Sequence, residues 1–420
     1  MNVTKVAWQG TLVAAALTMC TSASGALAGG FEIREQSAFF SGTAYAGTGA
    51  GGSSLSSIFW NPAASSFVTS RITTDSNYTL VLPNVDLHAD SINPALSPGT
   101  DMDVDIGRDA LVPASYYAYR YNDRIVFAAS INAPFGLTTK PDNMGWAGAY
   151  LQQTSKVFSL NVTPSVSYQL TPHISVGAGL QIQYSDIKAL NTSLYQADMD
   201  DIAVGGTAGI NITPFRGTSI GLGYRSRIEH DFEGKFVAGG AKLPASASLD
   251  TPDKVNLSLR QELTSNTRLL ASVEWTNWSL LQTAPVIVAG APAGNLVFNW
   301  EDGWMYSVGG EYDVTPKLTI RGGISYEESP IQDATSRLIQ LPDSNRTWFG
   351  LGASYKWSDM TTINVSYLHV ELQESRFDRV AVTGPGTITG NADVNADAVS
   401  VGLTMKMESL YDLLPGSGGK

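Results

Sequence analysis

The chain has 420 residues, a formal net charge of -12, 15% charged and 43% hydrophobic residues, and a mean hydropathy of -0.02. Soluble domains usually carry about 25% charged residues, so this chain is poor in charge, yet past its N-terminus it has no run of the ~20 apolar residues that a membrane helix requires. A helical span is excluded, and the acidic balance without a basic stripe argues against a nucleic-acid partner.

The chain opens with Lys5, an apolar run from Thr11 to Met19 and the small-residue step Ala26-Leu27-Ala28. These read as a secretory signal removed after Ala28, residues 1–28. A lipoprotein signal ending at Cys20 is the competing reading, with Met19 a poor fit ahead of the cysteine. Cleavage after Ala28 removes the only cysteine and leaves no thiol chemistry.

From Gly29 to about Ser70 no period is visible, and Gly, Ala and Ser dominate. Gly47-Thr48-Gly49-Ala50-Gly51-Gly52 resembles a phosphate loop only superficially, since no Lys-Ser or Lys-Thr follows; it reads as a flexible stretch. Asn61-Pro62-Ala63 reads as a rigid corner or as an ordinary helix-ending turn, because proline fixes its own φ and restricts the residue before it.

Between Arg71 and Met407 the pattern is alternating polarity in about fourteen segments, centred on Tyr78, Ser115, Ala128, Thr163, Gly179, Gly206, Gly223, Leu257, Ala271, Val308, Gly322, Leu351, Val365 and Val401. The gaps alternate in length. The short ones are Tyr121-Asn122-Asp123, Thr171-Pro172-His173, Thr213 to Gly217, Thr264-Ser265-Asn266, Val314-Thr315-Pro316 and Trp357-Ser358-Asp359. Longer gaps centre on Asp90 to Asp105, Gly136 to Ser155, Asp186 to Asp200, Glu229 to Pro252, Leu280 to Asp302, Ser329 to Asn345 and Glu371 to Asn395. Only helices and closed barrels satisfy their backbones in lipid, so the expectation is an all-β membrane protein, an antiparallel transmembrane β-barrel over residues 71–407. Its short turns face the periplasm and its long loops face outward.

Strand parity assigns faces. Ile174, Val176, Ala178, Leu180, Ile182 and Tyr184 are expected to meet lipid, with Ser175, Gly177, Gly179, Gln181 and Gln183 in the lumen. Aromatic residues such as Tyr119, Tyr168, Trp304 and Trp357 gather near strand ends, as membrane interfaces select. Asp101, Asp103, Asp105, Asp198, Asp200 and Asp201 fall in outer loops, either as solvated acids or as divalent-cation ligands beside lipopolysaccharide. His88, His173, His230 and His369 have no metal-ligand spacing, so no metal or other cofactor is expected. Ser226 and His230 are the one close serine–histidine pair available to a barrel-borne lipid hydrolase. Residues 408–420 form a tail that lacks a terminal aromatic residue.

Gly30-Phe31-Glu32-Ile33, Ala44-Tyr45-Ala46-Gly47 and above all Asn61-Pro62-Ala63 resemble the N-terminal hatch of the FadL family of outer-membrane long-chain fatty-acid and hydrocarbon transporters. Ala133-Pro134-Phe135-Gly136-Leu137, Gly223-Tyr224-Arg225-Ser226, Trp275-Thr276-Asn277-Trp278 and Leu341-Pro342-Asp343 continue the resemblance along the chain. It implies a fourteen-stranded barrel plugged by a small, partly helical hatch at residues 29–70. It also implies passive, hatch-gated uptake of hydrophobic molecules and no catalysis, with lateral release where the third strand kinks at Asn132, Ala133, Pro134, Phe135 and Gly136. Asn61, Pro62, Ala63 and Phe31 are then the gating residues. Phe31, Ile33 and Phe59 are candidate apolar contacts.

By parity Arg225, Arg227, Arg260 and Arg321 face inward with Glu274, Glu311 and Glu327. They read either as a mutually neutralising ladder or as anchors for a substrate carboxylate. The gap after the fifth strand looks short for a fatty-acid member of the family. Expected partners are the hydrophobic substrate, outer-membrane lipid and lipopolysaccharide, and the barrel-assembly machinery, with the protein a monomer in the outer membrane. A diffusion porin for polar solutes is the alternative.

Overall fold

A computed structural model describes residues 29–92, 100–149, 153–191, 195–380 and 387–409. The proposed signal, its alternative at Cys20 and most of the tail lie outside the described residues. Fourteen wall strands run through the rest. They are β1 (Ile72–Ile92), β2 (Ala110–Arg120), β3 (Ile125–Asn132, resuming at Gly136–Thr139), β4 (Thr154–Thr171), β5 (Ile174–Asn191), β6 (Tyr195–Ile212) and β7 (Thr218–Arg225). The remainder are β8 (Lys254–Glu262), β9 (Thr267–Thr276), β10 (Gly303–Asp313), β11 (Leu318–Glu328), β12 (Arg346–Lys356), β13 (Thr361–Leu372) and β14 (Thr387–Met407). Each pairs antiparallel with the next, and β1 pairs with β14 from Ile72↔Met407 to Ile92↔Ile388. That last pairing closes the barrel and removes its edges.

The alternation expected of the strands is present. On β5, Leu180 and Ile182 are exposed, while Gln181 and Gln183 are 2% and 1% exposed. The six short gaps are the turns between wall strands. Even the glycine-rich stretch around Gly206 is strand, paired Leu180↔Gly206 and Thr207↔Arg225.

The long gaps differ from their reading as loops. β1 and β5 continue past Asp90 and Asp186, and two hairpins, Asp231–Ala238 with Ala241–Ser248 and Thr283–Val288 with Ala291–Val297, rise between wall strands. Pro244, Pro285, Pro292 and the Gly239-Gly240 turn hide the alternation there, since proline and glycine read as loop although exposed edge strands accept them. Gly239 and Gly240 take φ of +56° and +81°, the left-handed pair that a two-residue hairpin turn requires.

Residues 29–67 lie inside this ring. They form a one-turn helix at Ala38–Ser41, with Ser37 Oγ accepting from Phe40 N, and two 3-10 helices at Leu55–Phe59 and Pro62–Phe67. The Gly47-to-Gly52 stretch is pinned rather than loose, because Gly47 N donates to Ser272 Oγ at 2.8 Å and Gly49 N to Ser258 Oγ at 2.9 Å. The wall admits the segment by withholding side chains. A Cβ on Gly221 or Gly223 of β7 would lie 1.9 Å from the carbonyl oxygen of Gly49 or Trp60. Gly223→Val is therefore expected to expel residues 59–63 while the barrel still forms. Heat-modifiable migration should persist, and protease should newly cut the N-terminal segment.

Candidate functional site

Asn61 begins a helix rather than ending one or merely turning a corner. It caps the Pro62–Phe67 helix by accepting from Ala63 N at 3.0 Å, with Pro62 in the first turn, where its missing N–H costs nothing. Its amide nitrogen donates to Gly49 O, Ile210 O and Asn211 Oδ1 at 2.8, 3.2 and 2.8 Å. The Asn-Pro-Ala corner thus fixes the luminal segment to itself and to β6.

At the other end the segment meets the broken third strand. Asn132 pairs with Asn161 and Gly136 with Phe158, so three residues, Ala133, Pro134 and Phe135, oppose two on β4. This is a bulge of one extra residue. Phe135 keeps β4 as its partner, its N–H donating to Ser159 Oγ at 2.8 Å and its carbonyl accepting from Ser159 N at 3.0 Å, while the other freed groups go to the luminal segment: Ile33 N donates to Pro134 O at 2.8 Å and Gly136 N to Phe31 O at 2.9 Å. Gln36 Nε2 donates to Ala133 O at 2.8 Å, and Asn132 Nδ2 to Tyr116 Oη at 2.9 Å. Phe31 and Phe135 come together with Trp278, ring centroids 5.0 to 6.2 Å apart in edge-on pairs.

Beyond the bulge the wall changes. The β2–β3 ladder ends at Ser115↔Ile131, and Gly136–Thr139 pairs with β4 alone, so Ala110 to Ala114 keep a ladder on the β1 side only. Buried Val112, Ala114 and Leu137 stand near this interrupted seam. The Cβ direction of Gly136 is toward Ile33, whose Cδ1 would be 2.6 Å away. A bulky residue there would push on the luminal segment rather than fill the seam.

Next to Gly30 lies a cavity of about 40 Å³, lined by Val85, Leu137, Leu341, Leu372 and Val394 with Arg108 at its margin. Small-molecule sites run to roughly 300 Å³ or more. This cavity is too small for such a ligand, whereas a wider, open one of about 600 Å³ lies between the far ends of β1, β13 and β14, lined by Leu87, His88, Val104, Leu372 and Ala392.

Of the four arginines expected to face inward, two grip the luminal segment. Arg225 Nη1 donates to Phe59 O at 3.0 Å with its guanidinium 4.5 Å from that ring centre, and Arg321 lies 3.8 Å over Phe39 while donating to Ser354. Arg227 does not point inward: β7 ends at Arg225, parity ends with it, and Arg227 is half exposed beside Glu229. Arg260 pairs with Glu262 at 3.3 Å toward the short-turn side.

The acids are neutralised by cations other than these four. Arg34 of the luminal segment reaches Glu274 at 2.5 Å and Glu327 at 2.9 Å, and Lys254 reaches Glu274 at 2.8 Å and contacts Glu32. Arg346 lies 3.7 Å from Glu327 and contacts Asp343, while Arg268 holds Glu311 at 2.8 Å. Parity places Lys254 and Arg346 inward on β8 and β12, so that signal was available in the sequence. Arg34 lies in an aperiodic segment where parity gives nothing.

Ser226 and His230 are not partners. Ser226 Oγ accepts from Gly206 N and donates to Arg227 O, whereas His230 bonds Asp201 at 2.8 Å, Gln183 at 3.0 Å and Ser185 at 3.3 Å. Burial holds the His230 imidazole below its ordinary pKa against the opposing pull of Asp201. A neutral ring sharing one nitrogen between Gln183 and Ser185 serves as a structural tie. Among the described residues no three His, Cys, Asp or Glu side chains converge to hold a metal.

The fold and the filled lumen define a class: multi-pass β-barrels with their own N-terminal segment packed inside. Residues 19–409 match the family described as Outer membrane protein transport protein (OMPP1/FadL/TodX), and the chain belongs to that family. Outer membrane protein P1 of Haemophilus influenzae is 26% identical, with 88% of this chain and 92% of that protein aligned. The long-chain fatty acid transport protein of Escherichia coli O6:H1 is 25% identical, over 86% of this chain and 91% of that protein. A solved FadL homologue from Pseudomonas aeruginosa superimposes with a TM-score of 0.81 at 21% identity, covering 90% of this chain and 99% of that one. The protein is thus an outer-membrane transport barrel.

Breaking a buried ion pair by removing one partner typically costs ~3–5 kcal/mol. Arg34→Met, which leaves Glu274 to Lys254 alone and Glu327 to the more distant Arg346, should lower the denaturant midpoint of the detergent-solubilised barrel by an amount of that order. Arg227→Ala should stay within ~0.5 kcal/mol of the parent.

Proposed function

We propose that the protein is a passive transporter of hydrophobic molecules, long-chain fatty acids or related hydrocarbons, gated by residues 29–70 and releasing its substrate sideways at the third strand. One observation carries the reading: the wall has a one-residue bulge at Ala133 to Phe135 whose proline carbonyl is bonded by Ile33 and alanine carbonyl by Gln36, with Phe31 taking the N–H of Gly136 just beyond it. Moving Phe31 and Ile33 would open the luminal cavity and free the seam above Ser115 in a single step.

A solute leaving by this route enters lipid, which favours apolar cargo. The diffusion-porin alternative is disfavoured by a lumen packed with Phe39, Phe40, Phe59 and Trp60, all at most 5% exposed. Family membership points to transport rather than hydrolysis. Asn61, Pro62, Ala63 and Phe31 serve as the fixed and moving ends of the gate. Ile33, Phe59, Arg225 and Arg321 line the face of the segment that substrate would displace; Arg227 and Arg260 have lesser roles by their placement. The protein works as a monomer surrounded by outer-membrane lipid and lipopolysaccharide, after insertion by the barrel-assembly machinery.

Deleting Pro134 restores two residues opposite two and makes β3 continuous, so its ladder with β2 should extend past Ser115. Uptake of a fluorescent hydrophobic probe is expected to fall by roughly tenfold or more, equivalent to ~1.4 kcal/mol in the open–closed balance, with assembly retained. Uptake equal to the parent would contradict lateral release. In planar bilayers the parent barrel should give no large steady current; a porin-like current would instead support polar diffusion.

A further inference from the structure

We propose that the α-ammonium group of Gly29, freed by cleavage after Ala28, is a structural cation of the buried cluster and forms an ion pair with Glu327.

The cluster as it stands is one positive charge short. Glu32, Glu274, Glu327 and Asp343 are the carboxylates, and Arg34, Lys254 and Arg346 are the cations in contact with them. All seven are at most 8% exposed at the side chain. Glu35 is a further buried acid, with neither carboxylate oxygen hydrogen-bonded. Arg225 is also buried, beside the same cavity as Glu32 and Lys254, and keeps its charge although it bonds Phe59 O; counted together with Glu35 it leaves five acids to four cations, still one short.

A buried carboxylate in excess is strongly disfavoured unless it is paired or neutralised. Gly29 N lies 3.0 Å from Glu327 Oε1, the oxygen that also accepts from Arg34 Nη2 at 2.9 Å. Glu327 Oε2 accepts from Trp348 Nε1 at 3.1 Å, so both oxygens are held in place. The neighbouring Gly30 N donates to Asp343 Oδ2 at 2.9 Å. Gly29 is itself buried, and a Cβ there would lie 3.2 Å from both Glu327 and Pro330. Glycine fits that tight contact.

The covalent step is hydrolysis of one amide during export. Water adds across the Ala28–Gly29 bond, Ala28 leaves with a carboxylate, and the Gly29 nitrogen keeps the bonding pair and takes up protons to become an ammonium. A peptide N–H offers Glu327 one neutral hydrogen bond; an ammonium offers three donors and a full charge. Maturation would thereby supply the missing cation to the same cluster that holds Arg34.

The test uses protein purified from outer membranes. Mass spectrometry of the intact chain should give a mature form beginning at Gly29; a different first residue, including a lipidated Cys20, would overturn the proposal. In the detergent-folded barrel at neutral pH, acetylation of the Gly29 amine should be at least about tenfold slower than in the urea-unfolded chain, as burial and a charge partner both retard attack. Equal rates would overturn it. Glu327→Gln should raise the folded-state rate, whereas Glu327→Asp, which keeps the charge, should remain protected if the glutamine variant fails to assemble. Protection unchanged in Glu327→Gln would show that the amine is shielded without an ion pair and would overturn the proposal; where that variant does not assemble, an assembled Glu327→Asp barrel with its amine as reactive as in the unfolded chain would overturn it instead.

Discussion

The constraint on which the rest of the structure depends is the backbone of the third strand at its bulge. In lipid an unpaired N–H or carbonyl costs several kcal/mol, and a bulge containing proline leaves such groups without strand partners. Here Ile33 and Gln36 take the carbonyls of Pro134 and Ala133, and Phe31 takes the N–H of Gly136. The break in the wall and the filled lumen are therefore two aspects of one arrangement, and neither is expected to persist unchanged without the other.

Holding Phe31 and Ile33 in place requires anchors on both sides of them. Ahead lie the contacts of Gly29 and Gly30 with Glu327 and Asp343; behind lies Arg34 between Glu274 and Glu327. Farther along, Asn61 ties the segment to β6, and Arg225 and Arg321 clasp Phe59 and Phe39. Buried ion pairs of this kind add little net stability compared with apolar packing, but they penalise a misplaced partner heavily. Such a cluster fixes the register of the segment against the wall, in addition to the apolar packing of Phe31 against Phe135 and Trp278.

Much of the wall was legible in the sequence. Alternation and six short turns are local properties, so strand count and closure follow from them. The added outer hairpins were not legible, because Pro244, Pro285 and Pro292 interrupt the very pattern that marks a strand. Asn132 to Gly136 stood out through its proline and glycine, yet the one-residue excess over β4 is a property of two strands at once. Ion pairing was harder still. Parity puts Lys254 and Arg346 in the lumen but cannot say that Glu274 and Glu327 choose Arg34, which lies more than two hundred residues earlier in the chain. Arg227 is the converse case, since β7 ends at Arg225 and strand parity does not extend two residues beyond it.

The most direct test is the path of the substrate. A long-chain alkane bearing a photoreactive diazirine, added to outer membranes containing the protein and irradiated during uptake, would mark the side chains it passes. Adducts on Val112, Ala114, Phe135 and Leu137, with none on Ser53 or Ser54 at the opposite end of the luminal segment, are the predicted result. Adducts concentrated at Ser53 and Ser54, with the β2–β3 seam unlabelled, would contradict lateral release and place the exit through the barrel axis.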